Sequence, residues 1–439
     1  MNVTLREHAL AIWRSAVDAV RPEPLLRSAL AEPSLAKMLQ AAPRILVLGA
    51  GKAGAAMSQA IESLLADRLD RIEGWVNVPE GTGAGTRKIR LHPARPIGSN
   101  HPTAAGVEGA REILRLASSA GPEDVAMCLL SGGGSALLPA PADGITLEDK
   151  QAVTRLLHAS GATIQEMNCV RKHLSSIKGG RLAEAFRGKA MVSLIISDVV
   201  GDPLDVIASG PTAPDPTTYA DAWHILERFD LVRQAPASVA QRLQLGMAGV
   251  IAETTKTLPP HVENRVIGNN SLTLAAAAAE ATRRGYSVLN LGGYIEGETR
   301  DVAVAMAGIV RSIREQGMPL PPPLCILSGG ETTVSLGSST GKGGRNQEFT
   351  LAFLNKFGPE GMRNIALVSG GTDGEDGPTD AAGAVADGST WPDATAFGLR
   401  PAEYLARHDA YPFFDRIGGL LRTGLTQTNV MDVRVMLIE

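Results

Sequence analysis

RILVLGAGKAG, from Arg44 to Gly54, is an apolar run that stops at a glycine loop holding one lysine. Three further runs share the design: VAMCLLSGGGSALL (Val125 to Leu138), LCILSGGETTV (Leu324 to Val334) and IALVSGGTDGEDG (Ile365 to Gly377), each broken by Ser-Gly-Gly. Short β-branched-rich runs ending in glycine read as buried parallel strands feeding tight turns. In open α/β sheets ligands bind outside the carboxyl ends of the strands, where such turns collect. Glycine there lets backbone N–H groups approach a phosphate, so the pattern predicts a site for something polyanionic.

Composition narrows the class. A length of 439 residues predicts about two to three domains. Hydrophobic residues (44%) and charged residues (20%) are in the balance of a water-soluble globular protein. Aromatics at 4% argue against a stacking platform for single-stranded nucleic acid. With 42 basic and 46 acidic residues the net charge is −4, so there is no basic footprint for nucleic acid or an anionic membrane. No stretch approaches the ~20 apolar residues of a membrane span. The N-terminus reads as an amphipathic helix, with Leu5, Ala9, Ile12, Trp13, Ala16, Val17 and Val20 on one side, instead of a secretory leader. Cys128, Cys169 and Cys325 have no C-x-x-C spacing and read as buried, reduced thiols of a cytoplasmic protein.

Strand one covers Ile45 to Leu48, and strands near Trp75–Val78, Val125–Leu130 and Met191–Ile196 alternate with helices. That βαβα order predicts a Rossmann-like, doubly wound parallel sheet. A turn holding Gly81, Gly83 and Gly85 follows strand two, and a loop Ser99-Asn100-His101-Pro102 precedes the next helix. The pattern loosens between Gln244 and Pro260, which sets the expected boundary between domains at 1–245 and 246–439. Val266 to Gly268 then opens a second α/β domain, with later strands at Leu324–Leu327, Thr332–Leu336 and Ile365–Val368. The run Asp432 to Ile438 alternates polar and apolar residues, as an edge or hairpin strand would.

Gly49-Ala50-Gly51-Lys52-Ala53-Gly54 is a literal G-x-G-x-x-G between a strand and a helix, the context of a dinucleotide fingerprint. A lysine inside it suits a phosphoryl group carrying more charge than a pyrophosphate. Ser131-Gly132-Gly133-Gly134-Ser135 offers N–H groups and two hydroxyls as an oxyanion or phosphate cradle, and no Walker A motif occurs. Asp198 and Asp202, with Asp205 after them, flank a strand end and suit Mg²⁺, which takes one or two carboxylates plus phosphate oxygens. Asp373, Glu375, Asp376 and Asp380 crowd another loop, where mutual repulsion favours a cation. In Gly341 to Glu348, Lys342 and Arg345 form an anion clamp ahead of a helix from Gln347. Arg171-Lys172-His173 and Lys178 to Arg181 either bind a substrate carboxylate or lie at a helix end, and His101 is a candidate base. Together these parts meet the needs of phosphoryl transfer.

In this order the stretches GAGKAG, SNHP, SGGGSALL, NCVRKHLSSIKGGRLA, ISDVVGDPLDVIASGPT, GNN, SGGETTV, GKGGRNQE and SGGTDGEDGPTDAAGA resemble the class II glycerate 2-kinases, whose C-terminal part is the MOFRL domain. They run from Gly49 to Ala384 and cover nearly the whole chain. The resemblance implies two α/β domains with the site in the cleft between them, and a MOFRL region at about 323–434. It implies transfer of the ATP γ-phosphoryl to the 2-hydroxyl of D-glycerate, giving 2-phosphoglycerate and ADP, with Mg²⁺. Lys52 and Arg345 match the family's proposed catalytic positions. Asp198 joins them as catalytic, with the general base open among His101, Asp198 and Asp202. Nucleotide contacts are expected at Gly49, Gly51, Ser131, Gly132, Gly133, Gly134, Ser135, Asn269, Gly329, Gly330, Glu331, Lys342, Gly344 and Asn346. Substrate contacts are expected at Lys52, His101, Arg171, Lys178 and Arg345, and metal contacts at Asp198, Asp202, Asp373 and Asp376. Partners are then D-glycerate and ATP, with no nucleic acid or membrane, and assembly into a homo-oligomer is left open. Two alternatives stand: an NAD(P)H-dependent hydroxypyruvate reductase, for which Glu80 is the only acid near the end of strand two, and a non-catalytic nucleotide- or sugar-acid-binding protein.

Overall fold

A computed structural model describes residues 4–82, 85–96, 101–337, 339–359 and 361–439. Gly83 of the glycine-rich turn, and Ser99 and Asn100 of the SNHP loop, lie outside the described residues. The chain forms two compact units: Pro22–Ile267, and the segment up to Arg21 together with Gly268–Glu439.

The first unit holds a six-stranded sheet of β1 (Ile45–Ala50), β2 (Ile72–Pro79), β3 (Ile89–Arg95), β4 (Val125–Leu130), β5 (Ala190–Ile196) and β6 (Val262–Gly268). Their order is β3-β2-β1-β4-β5-β6, with β3 through β5 parallel throughout. This is the strand order of a doubly wound sheet, and the order reverses between β1 and β4. Every residue of β1 and β4 is buried, which is why both read as unbroken apolar runs. Their carboxyl ends carry the GAGK and SGGG loops, so the switch point brings these two motifs together.

The second unit holds β7 (Ser287–Asn290), β8 (Ile295–Glu298), β9 (Leu324–Thr333), β10 (Ile365–Gly371), β11 (Gly383–Asp387), β12 (Leu420–Leu421) and β13 (Asp432–Ile438). The order is β12-β11-β10-β13-β9-β7, with β8 also on β9. Strands β7 and β8 run parallel to β9, whereas β13 is antiparallel to both β9 and β10. Val433, Val435 and Leu437 pack against the helices Leu5–Asp18 and Asn270–Arg283. Met436 and Ile438 pack on the other face against the helices Thr299–Gln316 and Arg345–Phe357.

Four expectations change. The boundary falls at 267/268, because β6 hydrogen-bonds to β5 and completes the first sheet. The N-terminal helix covers the second unit's sheet, with Ile12 and Trp13 buried in that core, so the chain returns to its own start. Strand β13 is central and fully buried, not an edge. Its alternation comes from Asp432 and Arg434, which are charged and yet have no exposure. Finally, only the first Ser-Gly-Gly follows its strand as a turn. Ser328–Gly330 and Ser369–Gly371 continue β9 and β10, and both lie opposite Asp432–Arg434 of β13.

The two loops at the switch point are locked to each other. Lys52 N donates to Gly132 O (2.8 Å), Ser131 N to Ala50 O (3.2 Å), and Ala53 N to Ser131 Oγ (3.0 Å). Gly51 has φ +152°, and a Cβ there would lie 2.0 Å from Ser131 Oγ and 2.8 Å from Ser131 N. Gly51→Ala should therefore destabilise the first unit by about 2–4 kcal/mol, from overpacking plus backbone strain. Urea denaturation measures it, and a loss below about 0.5 kcal/mol would show that the loops separate at little cost.

Candidate functional site

In the first unit, the backbone N–H groups expected to cradle a phosphate at the G-x-G-x-x-G turn are engaged within the protein. Gly51 N donates to Asn77 O (3.2 Å), and those of Lys52 and Ala53 go to the SGGG loop. Gly49 serves packing, since a Cβ there would lie 2.0 Å from Leu129 O. What this turn presents is charge. A Cβ built on Gly133 would lie 2.9 Å from Arg95 Nη2 and 3.7 Å from Lys52 Cγ, so two cationic side chains flank the SGGG loop.

More cations converge beneath it. Lys178 Nζ donates to Ser135 O (2.8 Å), Ser135 Oγ (3.1 Å) and Ala208 O (3.3 Å). Ser135 Oγ meets Ser209 Oγ (2.9 Å), which donates to Asn168 Oδ1 (3.1 Å). Lys150, also buried, donates to Leu174 O (2.9 Å) and so caps the end of the helix Ile164–His173. Burial, and then the charge of Arg171, pushes Lys150 down to about 7. Lys178 is pushed well below the ordinary lysine value by burial, then by Lys150 and Arg171. Burial lowers Arg171. Lys172 is the exception, paired with Asp215 (2.7 Å) and Asp205 (3.4 Å). Buried cations held by hydroxyls and carbonyls leave an excess of positive potential, which a bound carboxylate or phosphate would neutralise.

The loop after β5 lines the same region of the first unit. Gly134 abuts Ala208, where a built Cβ would lie 2.8 Å from Ala208 Cβ. Ala208 (φ +52°) and Ser209 (φ +61°) are left-handed, as is Asp202 (φ +56°). Such backbone costs about 1–3 kcal/mol per residue and concentrates at functional sites. Asp198 and Asp202 are both half-buried here, while His101 is exposed. Among the described residues no three of His, Cys, Asp or Glu converge. Asp198 and Asp202 are carboxylates, the donor type that Mg²⁺ takes.

In the second unit, Arg345 opens the helix Arg345–Phe357, two residues earlier than expected. Its Nε and Nη2 bond Asp432 Oδ2 (2.8 Å) and Oδ1 (3.0 Å), and its Nη1 bonds Glu331 Oε1 (2.7 Å). Asn346 Nδ2 donates to Asp432 Oδ1 (2.9 Å). Asp376, expected as a metal ligand, is fully buried and caps this helix: its oxygens accept from Asn346 N (3.0 Å) and Gln347 N (2.9 Å). Both carboxylate oxygens thus serve the helix N-terminus. Asp373 sits in the adjoining turn, accepting from Glu375 N (3.2 Å). Asn269 caps the helix Asn270–Arg283 through Leu272 N (3.0 Å). Lys342 Nζ lies 4.0 Å from the centre of the Tyr411 ring. Gly344 abuts Asp376, where a Cβ would lie 2.3 Å from the carboxyl carbon. Gly329 and Gly330 lie within β9, against Asn270 and β8.

Sequence reasoning missed Asp432, Arg434, Arg95 and the Ser209–Asn168 pair. The usable signal for the first two was a pair of opposite charges spaced i, i+2 in an otherwise apolar strand, which places both on one face. The three cysteines are buried and free. No described helix is long and apolar enough to cross a membrane.

Residues 8–244 match the model of a domain of unknown function, DUF4147, and residues 324–432 match that of the MOFRL family. A glycerate 2-kinase of Pyrococcus horikoshii is 41% identical over 90% of this chain and 87% of its own length. A putative hydroxypyruvate reductase of Agrobacterium vitis is 44% identical over 90% of this chain and 87% of its own. The crystal structure of a glycerate kinase from Thermotoga maritima superposes with a TM-score of 0.88 at 35% identity, covering 99% of both chains.

Burial pushes the Asp376 carboxyl up to about 7, against two backbone N–H donors that favour its anion. An unfolded-chain aspartate titrates near ~4, so folding favours the protonated form. The stability this group contributes is complete below about pH 4 and is lost as pH rises through about 7. The thermal midpoint of the unsubstituted protein minus that of Asp376→Asn should thus fall between about pH 5 and pH 8. A difference that holds constant across that range would show that the carboxyl stays ionised.

Proposed function

The chain belongs to the glycerate 2-kinase family with a MOFRL domain, and from that membership we propose that it transfers the γ-phosphoryl group of ATP to the 2-hydroxyl of D-glycerate. The products are 2-phosphoglycerate and ADP. One observation favours this over the reductase name carried by some relatives. The N–H groups of Gly51, Lys52 and Ala53, which a pyrophosphate would need at the G-x-G-x-x-G turn, are bonded within the protein. Lys52 and Arg95 beside Gly133 supply cationic side chains there instead, the equipment of phosphoryl transfer.

In this reading Lys52 and Arg345 stabilise charge on the transferred group. Arg171 and Lys178 give the positive potential that draws the substrate carboxylate. Asp198 and Asp202 would hold Mg²⁺, which would neutralise charge on the phosphates. Ser131 to Ser135 accept the nucleotide phosphates through what the locked turn still exposes. The second unit contributes Glu331, Lys342 and Asn346 around Arg345.

Three measurements test the reading. D-glycerate and ATP should yield 2-phosphoglycerate by phosphorus NMR, whereas oxidation of NAD(P)H by hydroxypyruvate without ADP formation would favour the reductase. Activity should require Mg²⁺ or Mn²⁺, and full activity in verified excess chelator would remove the metal from the scheme. Lys52→Ala and Arg345→Ala should each lower kcat by ~10²–10³, the usual cost of a transition-state donor. If both serve one group, the double variant loses less than the product of the single losses. Near-normal kcat in folded single variants would overturn both assignments.

A further inference from the structure

The environment of Arg345 is lopsided. Its side chain is 32% exposed, while the acid that grips it, Asp432, has no exposure. Asp432 is the first residue of the central strand β13, and its two oxygens accept four hydrogen bonds. Oδ1 takes Arg345 Nη2 and Asn346 Nδ2, and Oδ2 takes Arg345 Nε and Arg434 Nη2 (3.2 Å). Arg434 is itself fully buried, bonded to Thr332 Oγ1 (3.1 Å) and lying over the Phe349 ring at 4.8 Å. The carboxylate is thus fixed from three sides and cannot rotate without breaking a buried bond.

A guanidinium has two two-pronged edges. Asp432 takes the edge formed by Nε and Nη2, so the Nη1–Nη2 edge is not the one that grips this carboxylate. On that outer edge Nη1 gives one hydrogen to the half-exposed Glu331 and Nη2 one to Asp432, and each nitrogen carries a second hydrogen. Two parallel N–H donors at a fixed angle match two oxygens of a phosphoryl group.

We propose that Asp432, steadied by Arg434 and Asn346, is a positioning residue that aims the outer edge of Arg345 at the phosphoryl group. The inference rests on the reading that Arg345 acts on that group. Asp432 never meets substrate; its whole effect passes through Arg345. Replacing the carboxylate with an amide leaves one acceptor where there were two and lets the guanidinium swing.

The test is a background dependence. Asp432→Asn should lower kcat about tenfold, with KM for ATP and for D-glycerate within about twofold. Introduced into Arg345→Ala, the same change should lower kcat no further. An unchanged kcat in folded Asp432→Asn, or an equal loss on both backgrounds, overturns the proposal, since a purely structural acid costs the same with or without the arginine. Near-normal kcat in Arg345→Ala would instead sink the reading beneath it. If Asp432→Asn does not fold, Arg345→Ala alone carries the test. Millimolar guanidinium, held by the intact carboxylate, should restore activity at least several-fold better than ethylammonium. Equal rescue, or none, overturns the positioning role.

Discussion

The second unit is organised around buried charge that must be balanced in place. Asp432 and Arg434 sit two residues apart on one face of a central strand with no exposure, and Arg345 approaches from the start of a helix. Removing ions from water costs several kcal/mol each, so such a group adds little net stability. What it supplies is direction. The helix Arg345–Phe357 is held at its first two residues by Asp432, at its leading N–H groups by Asp376, and at Phe349 by the Arg434 guanidinium. Glycine on both flanking strands, opposite Asp432 and Val433, leaves the room this crowding needs.

The first unit solves the opposite problem. Unlike Lys172, the buried Lys150 and Lys178 face other cations: Arg171 lowers Lys150, and both lower Lys178. A fold can carry such like charge when an anion from outside balances it. The left-handed backbone at Ala208 and Ser209 belongs to the same economy of function over stability: it delivers Ala208 O and Ser209 Oγ to Lys178 and Ser135.

Much of the architecture could be read from sequence, because buried parallel strands such as β1 and β4 are continuous apolar runs. The motifs of the candidate site were legible for a related reason: glycine, lysine and aspartate stand out against apolar strands. What stayed hidden depends on long-range pairing. Nothing near Val262–Gly268 says which sheet it joins, and an alternating strand looks the same whether its polar face meets water or a buried arginine. Local spacing also could not tell a glycine that frees an N–H for a ligand from one that lets two loops bond each other, as Gly51 does. Nor could its local sequence show that Asp376 caps a distant helix.

The helix Leu5–Asp18 buries its apolar face on a sheet whose strands begin at Ser287 and whose middle is β13. Synthesis from the N-terminal side delivers that helix well before its resting place. At roughly 5–20 residues per second, the wait amounts to some tens of seconds. Throughout it, Ile12 and Trp13 have nothing of their own to cover, while Pro22–Ile267 can already gather around its sheet. Until then the amphipathic helix lacks the sheet on which its apolar face comes to rest. The second unit closes only when translation has passed Asp432.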